Sequence, residues 1–390
     1  MSSTTDTEKQ AAPLSLKVKA TLHVALRSNW IISVFAIVIA FIVGAFFIWI
    51  ADASIIDTYW RLFKGSIFDP DQEQFTRQIR PLTNTLRDSS PLILAGLGLG
   101  LGFRAGLFNI GGQGQLILGA IAATYLGFSL DLPYFVHMLV ALVGAVIAAG
   151  LWGGFAGFLK ATTGANEVIV TIMLNSIAGF LLLYVLKQSV FQGPNNNQPK
   201  SQPVADEARL PDILPGDEFS LHAGFILAIL ATVFVWWLLE RSKFGFELRA
   251  VGANAHASET AGMSTKKVIT LTMFVSASLA GLAGANQILG TLGSLTQGAA
   301  GSIGFDAITV ALLGRNKPVG IFGAGLLFGA FQAGSPRMQG AGVPVDMILI
   351  LQSVIVLLIA APPLIRWLFR FPTPDGLGYR EYITLHQEAK

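Results

Sequence analysis

The chain contains no cysteine, which excludes disulfides, thiolate metal sites and cysteine nucleophiles. No Gly-Lys dipeptide occurs anywhere in its 390 residues, and a phosphate-cradling P-loop needs Gly-Lys followed by Ser or Thr. Any ATP-driven work therefore falls to a different polypeptide, and no bound cofactor is expected here. His23, His137, His222, His256 and His386 are scattered, with no HExxH spacing, so no metal site and no catalytic centre are expected. Charge is scarce as well. Asp, Glu, Lys and Arg make up 13% of the residues, against roughly a quarter in soluble domains. A net charge of +3 is too small to imply nucleic acid as a partner.

Hydrophobic residues make up 53% of the chain, in long uncharged runs. A bilayer core needs about 20 apolar residues per helix. Spans are accordingly expected at 31–50, 88–103, 107–128, 134–159, 167–186, 222–240, 268–290, 304–314, 318–335 and 344–362. The expected fold is all-α: a polytopic protein of about ten transmembrane helices, some broken or re-entrant, surrounded by membrane lipid. The 304–314 segment is too short to cross alone and is expected to be half of a broken helix or to extend into the preceding loop.

Lys9, Lys17, Lys19 and Arg27 precede the first span. With that end inside, most of the 26 Lys plus Arg fall on the same side, as the positive-inside rule requires. Both termini are thus expected to be cytoplasmic. No cleaved signal peptide is expected, because the polar arm runs about thirty residues and the first apolar run is a full span.

Residues 1–29 form a cytoplasmic arm in which Leu14, Val18, Leu22 and Leu26 share one helical face. That pattern fits either a helix on the inner leaflet or a simple extension of the first span. The membrane domain covers 30–372, and 373–390 form a cytoplasmic tail. Segments 51–87 and 187–221 are expected as outer loops. The second carries the polar stretch Gln192-Gly-Pro-Asn-Asn-Asn-Gln-Pro-Lys200, which cannot bury a core of its own.

The most distinctive stretch begins with Gly96, Gly98, Gly100 and Gly102 and runs into Arg104-Ala-Gly-Leu-Phe-Asn-Ile-Gly-Gly-Gln-Gly-Gln115. Loosened, amide-rich backbone is tolerated at membrane depth only where protein buries it or it lines a cavity. The glycines alone also fit close helix packing. Residues 92–127 and 279–314 share a pattern of small-residue span, polar break and apolar run. Such corresponding broken segments point to pseudo-symmetric halves with a site between them.

Asn109, Gln113, Gln115, Asn286 and Asp306 are candidates for a solute pathway. So are Thr171 and Asn175, which share a helical face with Glu167. Interhelical hydrogen bonding is the plainer reading for the amides, and for Asp306 a helix cap. Glu167 lies close behind Lys160 and fits the cytoplasmic interface. The neutrality of the set suits an uncharged, hydrogen-bonding solute. In loop 241–267, Asn254 is a good N-cap, Ala255 to Ala261 favours helix, Gly262 supplies a stop and Ser264 can cap the next span. This capped helix is either a docking knob for a cytoplasmic partner or an ordinary interfacial turn.

Four ordered motifs resemble one family: Arg104 to Gln115, Ala165-Asn-Glu-Val-Ile-Val-Thr-Ile-Met-Leu-Asn175, Leu248-Arg-Ala-Val-Gly-Ala-Asn254 and Gly304-Phe-Asp-Ala-Ile-Thr-Val-Ala-Leu-Leu-Gly-Arg315. It comprises the membrane-spanning permease subunits of bacterial ABC importers for nucleosides and simple sugars. Ribose and branched-chain amino acid permeases are more distant relatives. The resemblance implies a transport subunit, not an enzyme, in the bacterial cell membrane. Its implied partners are a second permease in a heterodimer, a cytoplasmic ABC ATPase that uses the ATP, and an extracellular substrate-binding lipoprotein. It also implies ATPase coupling through Gly252, Asn254, Glu259 and Gly262. The family often has Glu where Gln113 stands and Pro where Ala255 stands. A sugar or branched-chain amino acid permease is the alternative within this class. An ion-coupled carrier is disfavoured by the lack of paired intramembrane acids.

Overall fold

The computed structural model describes residues 18, 20–21, 29–192, 198–214, 216, 218–340, 342–344, 346–360 and 370. The tail at 373–390 and most of the 1–29 arm, with its expected amphipathic face, lie outside these. The chain divides into two units, residues 48–348 and a smaller one of residues 1–47 with 349–390. In the smaller unit the apolar helix α1 (Asn29–Ile50) contributes most of its length.

The larger unit contains α2 (Ile55–Ser66), α3 (Phe75–Arg104), α4 (Gly112–Ser129), α5 (Tyr134–Thr163), α6 (Glu167–Val185) and α7 (Gly224–Arg241). It continues with α8 (Lys243–Ala253), α9 (Ala255–Thr260), α10 (Thr265–Asn286), α11 (Ile303–Leu313) and α12 (Pro318–Gln339). A last helix, α13 (Met347–Ala360), falls mostly in the smaller unit. No strand occurs among the described residues, only isolated bridges. Among the described residues, five helices are long and apolar enough to cross a membrane: α5, α6, α7, α10 with its continuation to Leu292, and α12. Helix α11 is apolar but short. The fold is all-α and polytopic.

Helix α3 is the axis of the larger unit, buried continuously from Ser89 to Gly102. Its alternating glycines form two faces, because residues four apart stack on one side of a helix. A Cβ on Gly96 or Gly100 would meet Ile321 of α12, and one on Gly98 would meet the Ser276 carbonyl of α10. Without side chains there, α3 fits between both helices.

A second close packing joins α4, α5 and α10. Gly119 lies against Gly281, Gly281 against Ala145 and Ala149, and Gly284 against the Leu116 carbonyl. Backbones meet directly, so any added side chain must displace a helix.

The structure corrects the two segments expected as outer loops. Residues 51–87 are not a loop: they hold α2 and the first turns of α3, which starts at Phe75 rather than 88. Helix α2 buries Thr58, Leu62, Gly65 and Ser66, and Gly65 sits against Gly334 of α12. Between α2 and α3, Asp69 accepts from Arg337 at 2.7 Å. Burial pushes the Asp69 carboxyl up, but the bonds from Arg337 and Gln72 and the guanidinium charge outweigh it, so its pKa lies below the ordinary range.

The described residues of 198–222 are not a free loop either. They strap across the C-terminal end of α10, with Ser201 N–H donating to the Leu295 carbonyl (2.9 Å), Val204 to Gly293 (2.9 Å) and Leu210 to Leu289 (3.0 Å). Val204, Ala208, Leu210 and Leu221 are buried beneath it.

Candidate functional site

Helix α3 ends at Arg104, and Gly106 at φ +71° turns the chain away. Helix α4 begins at Gly112 with Gly111 as a cap that has no side chain to offer, so its first amides need other partners. Asn109 supplies one, its Oδ1 accepting from Gly111 N–H at 2.8 Å. The same side chain forms a reciprocal amide pair with Gln115 (3.1 and 3.2 Å) and donates to Ser276 Oγ of α10 at 3.0 Å.

Helix α6 supplies the rest. Its aligned residues follow the break like rungs: Glu167 Oε1 accepts from Phe108 N–H (3.4 Å), Thr171 Oγ1 from Ile110 N–H (3.3 Å) and Asn175 Oδ1 from Gly114 N–H (2.8 Å). Asn175 Nδ2 also donates to the Ile110 carbonyl at 2.9 Å. Lys160 pairs with Glu167 at 2.7 Å.

The second break lies between α10 and α11. Helix α10 passes into a π turn, Gln287–Leu292, then Gly293 at φ +66°, and α11 starts after Ser302. One side chain joins the two breaks. Gln113 Nε2 donates to the Gly301 carbonyl at 2.8 Å, and its Oε1 accepts from Gly304 N–H at 2.9 Å. An uncharged amide from the first turn of α4 thus caps the first turn of α11.

Asp306 is not the cap of α11. It lies one turn inside, accepting from Ser302 Oγ (2.7 Å) and from Gln332 Nε2 of α12 (3.2 Å). Ser302 occupies the cap position and turns its hydroxyl to Asp306 instead of the backbone.

The candidate pathway residues therefore separate. Asn109, Gln115 and Thr171 are buried with their polar groups engaged, while Gln113, Asn175 and Asp306 are partly accessible. Asn286 belongs to another junction: its Nδ2 donates to the Gly224 carbonyl at 3.1 Å. There Gly224 N–H donates to His222 Nδ1 (3.2 Å), and His222 Nε2 meets Thr291 Oγ1 (3.2 Å). Burial, with the nearby Arg87 charge, holds the His222 pKa down at about 4. Sequence reasoning missed His222, Thr291 and Ser276, because a single polar residue in an apolar run carries no pattern.

The expected loop 241–267 is mostly helical. Ser242 caps α8 through Gly245 N–H (2.9 Å), and Asn254 ends α8 and caps α9 through Ala257 N–H (3.0 Å). Gly262 at φ +84° makes the stop. Ser264 does not cap α10 with its side chain; Thr265 Oγ1 instead donates to Glu259 Oε1 at 2.6 Å, tying α9 to α10. A Cβ on Gly252 would collide with Arg104 and Ala105, so α8 rests directly on the start of the first break. Arg104 Nε in turn donates to the Asn316 carbonyl at 3.0 Å, in the turn between α11 and α12.

Residues 82–360 match the family described as branched-chain amino acid transport system / permease component. The guanosine ABC transporter permease protein NupP of Bacillus subtilis is 39% identical over 87% of this chain and 95% of its own. The glucose ABC transporter permease protein TsgB13 of Haloferax volcanii is 36% identical over 71% and 75%. The nucleoside ABC transporter permease protein NupB of Lactococcus lactis is 36% identical over 72% and 79%. The same two bacteria hold second permeases, NupQ and NupC, that match at 27% and 25% identity. No solved structure matches. Matched across most of its length and built of membrane-length helices around two joined breaks, the chain belongs to the permease-component family of ABC transport systems.

Proposed function

We propose that this chain is one permease of a heterodimeric, ATP-driven ABC importer that carries nucleosides into the cell. The observation that carries the reading is the joint at Gln113, where two half-helix ends meet through a neutral amide. A junction built from amides and hydroxyls fits an uncharged solute rich in hydrogen-bonding groups, and the guanosine and nucleoside relatives narrow that class. Gln113, Asn175 and Asp306, being partly accessible, face the solute. Asn109, Gln115, Thr171 and Asn175 hold the first break in shape, and Asn286 steadies the outer junction.

On this reading both termini, α8 and α9 lie in the cytoplasm, and a separate ATPase docks on α8 and α9. This chain binds no ATP. Closure of the ATPase would push α8, and Gly252 would pass the displacement to Arg104 and the first break. A substrate-binding lipoprotein delivers the solute from outside.

The test is uptake of labelled guanosine and uridine by cells with and without the gene, in competition with adenosine, glucose and leucine. Gene-dependent uptake that only nucleosides compete supports the reading. Competition by glucose would favour a sugar permease, the second reading, which the relative TsgB13 supports. Gly252→Pro, which breaks α8 at its contact, is expected to abolish solute-stimulated ATP hydrolysis by the assembled complex.

A further inference from the structure

The outward faces of α5 and α10 enclose an apolar groove of about 620 Å³ that the transport reading does not use. Its walls are Leu151, Phe155 and Phe158 of α5 with Leu271 and Phe274 of α10. Leu151, Phe155, Phe158 and Leu271 are each exposed by 41% or more. Lys266 and Lys267 stand at one end, no acid lines the groove, and neither lysine takes part in an ion pair among the described residues. From Lys266 to Phe274 is eight residues, about 12 Å of helix, long enough to hold the upper part of an acyl chain.

We infer that this groove binds an anionic phospholipid, with its tail along the phenylalanines and its headgroup phosphate on Lys266 and Lys267. Two features together choose the ligand. Aromatic and aliphatic walls at membrane depth suit hydrocarbon and reject a soluble anion. Two uncompensated lysines at the interface select an anionic headgroup over a zwitterionic one, since each basic residue near a charged membrane surface contributes about fivefold in affinity. The lysines follow α9 directly and share a helix with Thr265, which holds Glu259 of α9. A bound headgroup therefore steadies the α9–α10 corner. The inference requires a membrane-embedded chain and does not depend on which solute is carried.

The experiment uses the complete transporter in nanodiscs of phosphatidylcholine with a minor fraction of phosphatidylglycerol. Retained lipid is counted by native mass spectrometry. The wild type is expected to retain phosphatidylglycerol preferentially, and Lys266→Gln with Lys267→Gln to cut that preference by about fivefold per lysine. Gly154→Leu, whose Cβ has ordinary clearance of 3.4 Å from Phe274, fills the groove and is expected to evict lipid of either headgroup. Inorganic phosphate in excess is expected to displace nothing. An unchanged lipid ratio in the double glutamine variant would overturn the inference, as would displacement by phosphate. A thiol cross-link from Phe158→Cys to the second permease would also overturn it, by putting protein where the lipid should be. The cysteine-free chain makes that labelling specific.

Discussion

The two breaks solve one problem in opposite ways. Each interrupts a membrane helix and leaves backbone groups without helical partners. In the first, side chains answer them: Asn109, Gln115 and Thr171, all buried, and the partly accessible Asn175 close its hydrogen bonds. In the second, backbone turns do most of the work, through Ala299 to Thr296 (3.1 Å) and Gly301 to Gly298 (3.0 Å). Its side-chain support is borrowed from Ser201 and His222 of the strap and from Gln113 of the first break. Gly298, Gly301 and Ser302 are exposed. The contrast teaches that a broken helix can be a fixed mount or a yielding one, depending on whether its own side chains close the hydrogen bonds. The first break is the mount, and the second is the part expected to move during transport.

The sharpest way to break this comparison is Asn109→Leu. It strands the Gly111 amide, the Gln115 amide and the Ser276 hydroxyl in a buried site, a loss on the order of 4 kcal/mol. Thermal unfolding in detergent should show a large drop, or the complex should fail to accumulate. A variant as stable as the wild type would mean the first break is not held by its network.

Acid should weaken the support of the second break next. His222 holds the π turn in its neutral form, with a folded pKa of about 4 against an ordinary 6.5. Its contribution is present above pH 6.5 and is lost as pH falls toward 4, roughly 3 kcal/mol in all. The fall in melting temperature between pH 7 and pH 4.5 should therefore be smaller in His222→Gln than in the wild type.

Gln113→Leu cuts the joint itself. Uptake is expected to fall about tenfold while the complex still assembles, and Gln113→Glu should lie between, because it retains the acceptor for Gly304 N–H and loses the donor to Gly301. Normal uptake by the leucine variant would remove Gln113 from the transport path.

The smallest effects separate two glycines of the second break. Gly301 sits at φ +45°, so Gly301→Ala should cost about 1 kcal/mol. Gly298 has no such constraint and open space around it, so Gly298→Ala should be neutral or slightly stabilising, by about 0.5 kcal/mol. Equal melting temperatures for both variants would mean the left-handed turn is not a constraint in solution.

Much of this was legible in the chain. Long apolar runs located α5, α6, α7, α10 and α12 to within a few residues, because burial in lipid demands unbroken hydrocarbon. The polar knot at 104–115 and the aligned Glu167, Thr171 and Asn175 marked the first break, since a helical face can be counted. The early start of α3 was hidden by Arg77, Arg80, Pro81 and Arg87, which resemble loop chemistry. The strap escaped because its bonds to the end of α10 are backbone bonds, which any residue can make. The pairing of Gln113 with Gly304 joins positions 191 apart in sequence, and no local spacing encodes such a meeting. Asp306 misled for a related reason: its partner Gln332 lies on another helix.

The glycine-to-backbone fit of α4, α5 and α10 also bears on how the protein is made. Helices α4 and α5 leave the ribosome about a hundred residues before α10, an interval of roughly 5–20 s at ordinary synthesis rates. During that time the notch around Gly119, Ala145 and Ala149 has no occupant but lipid, and the chain cannot complete its packing however well the early helices have inserted. Biogenesis of this permease thus contains an enforced wait, and a bulky residue at Gly281 would be felt as a failure of the last-arriving helix to enter rather than as a weakened finished protein.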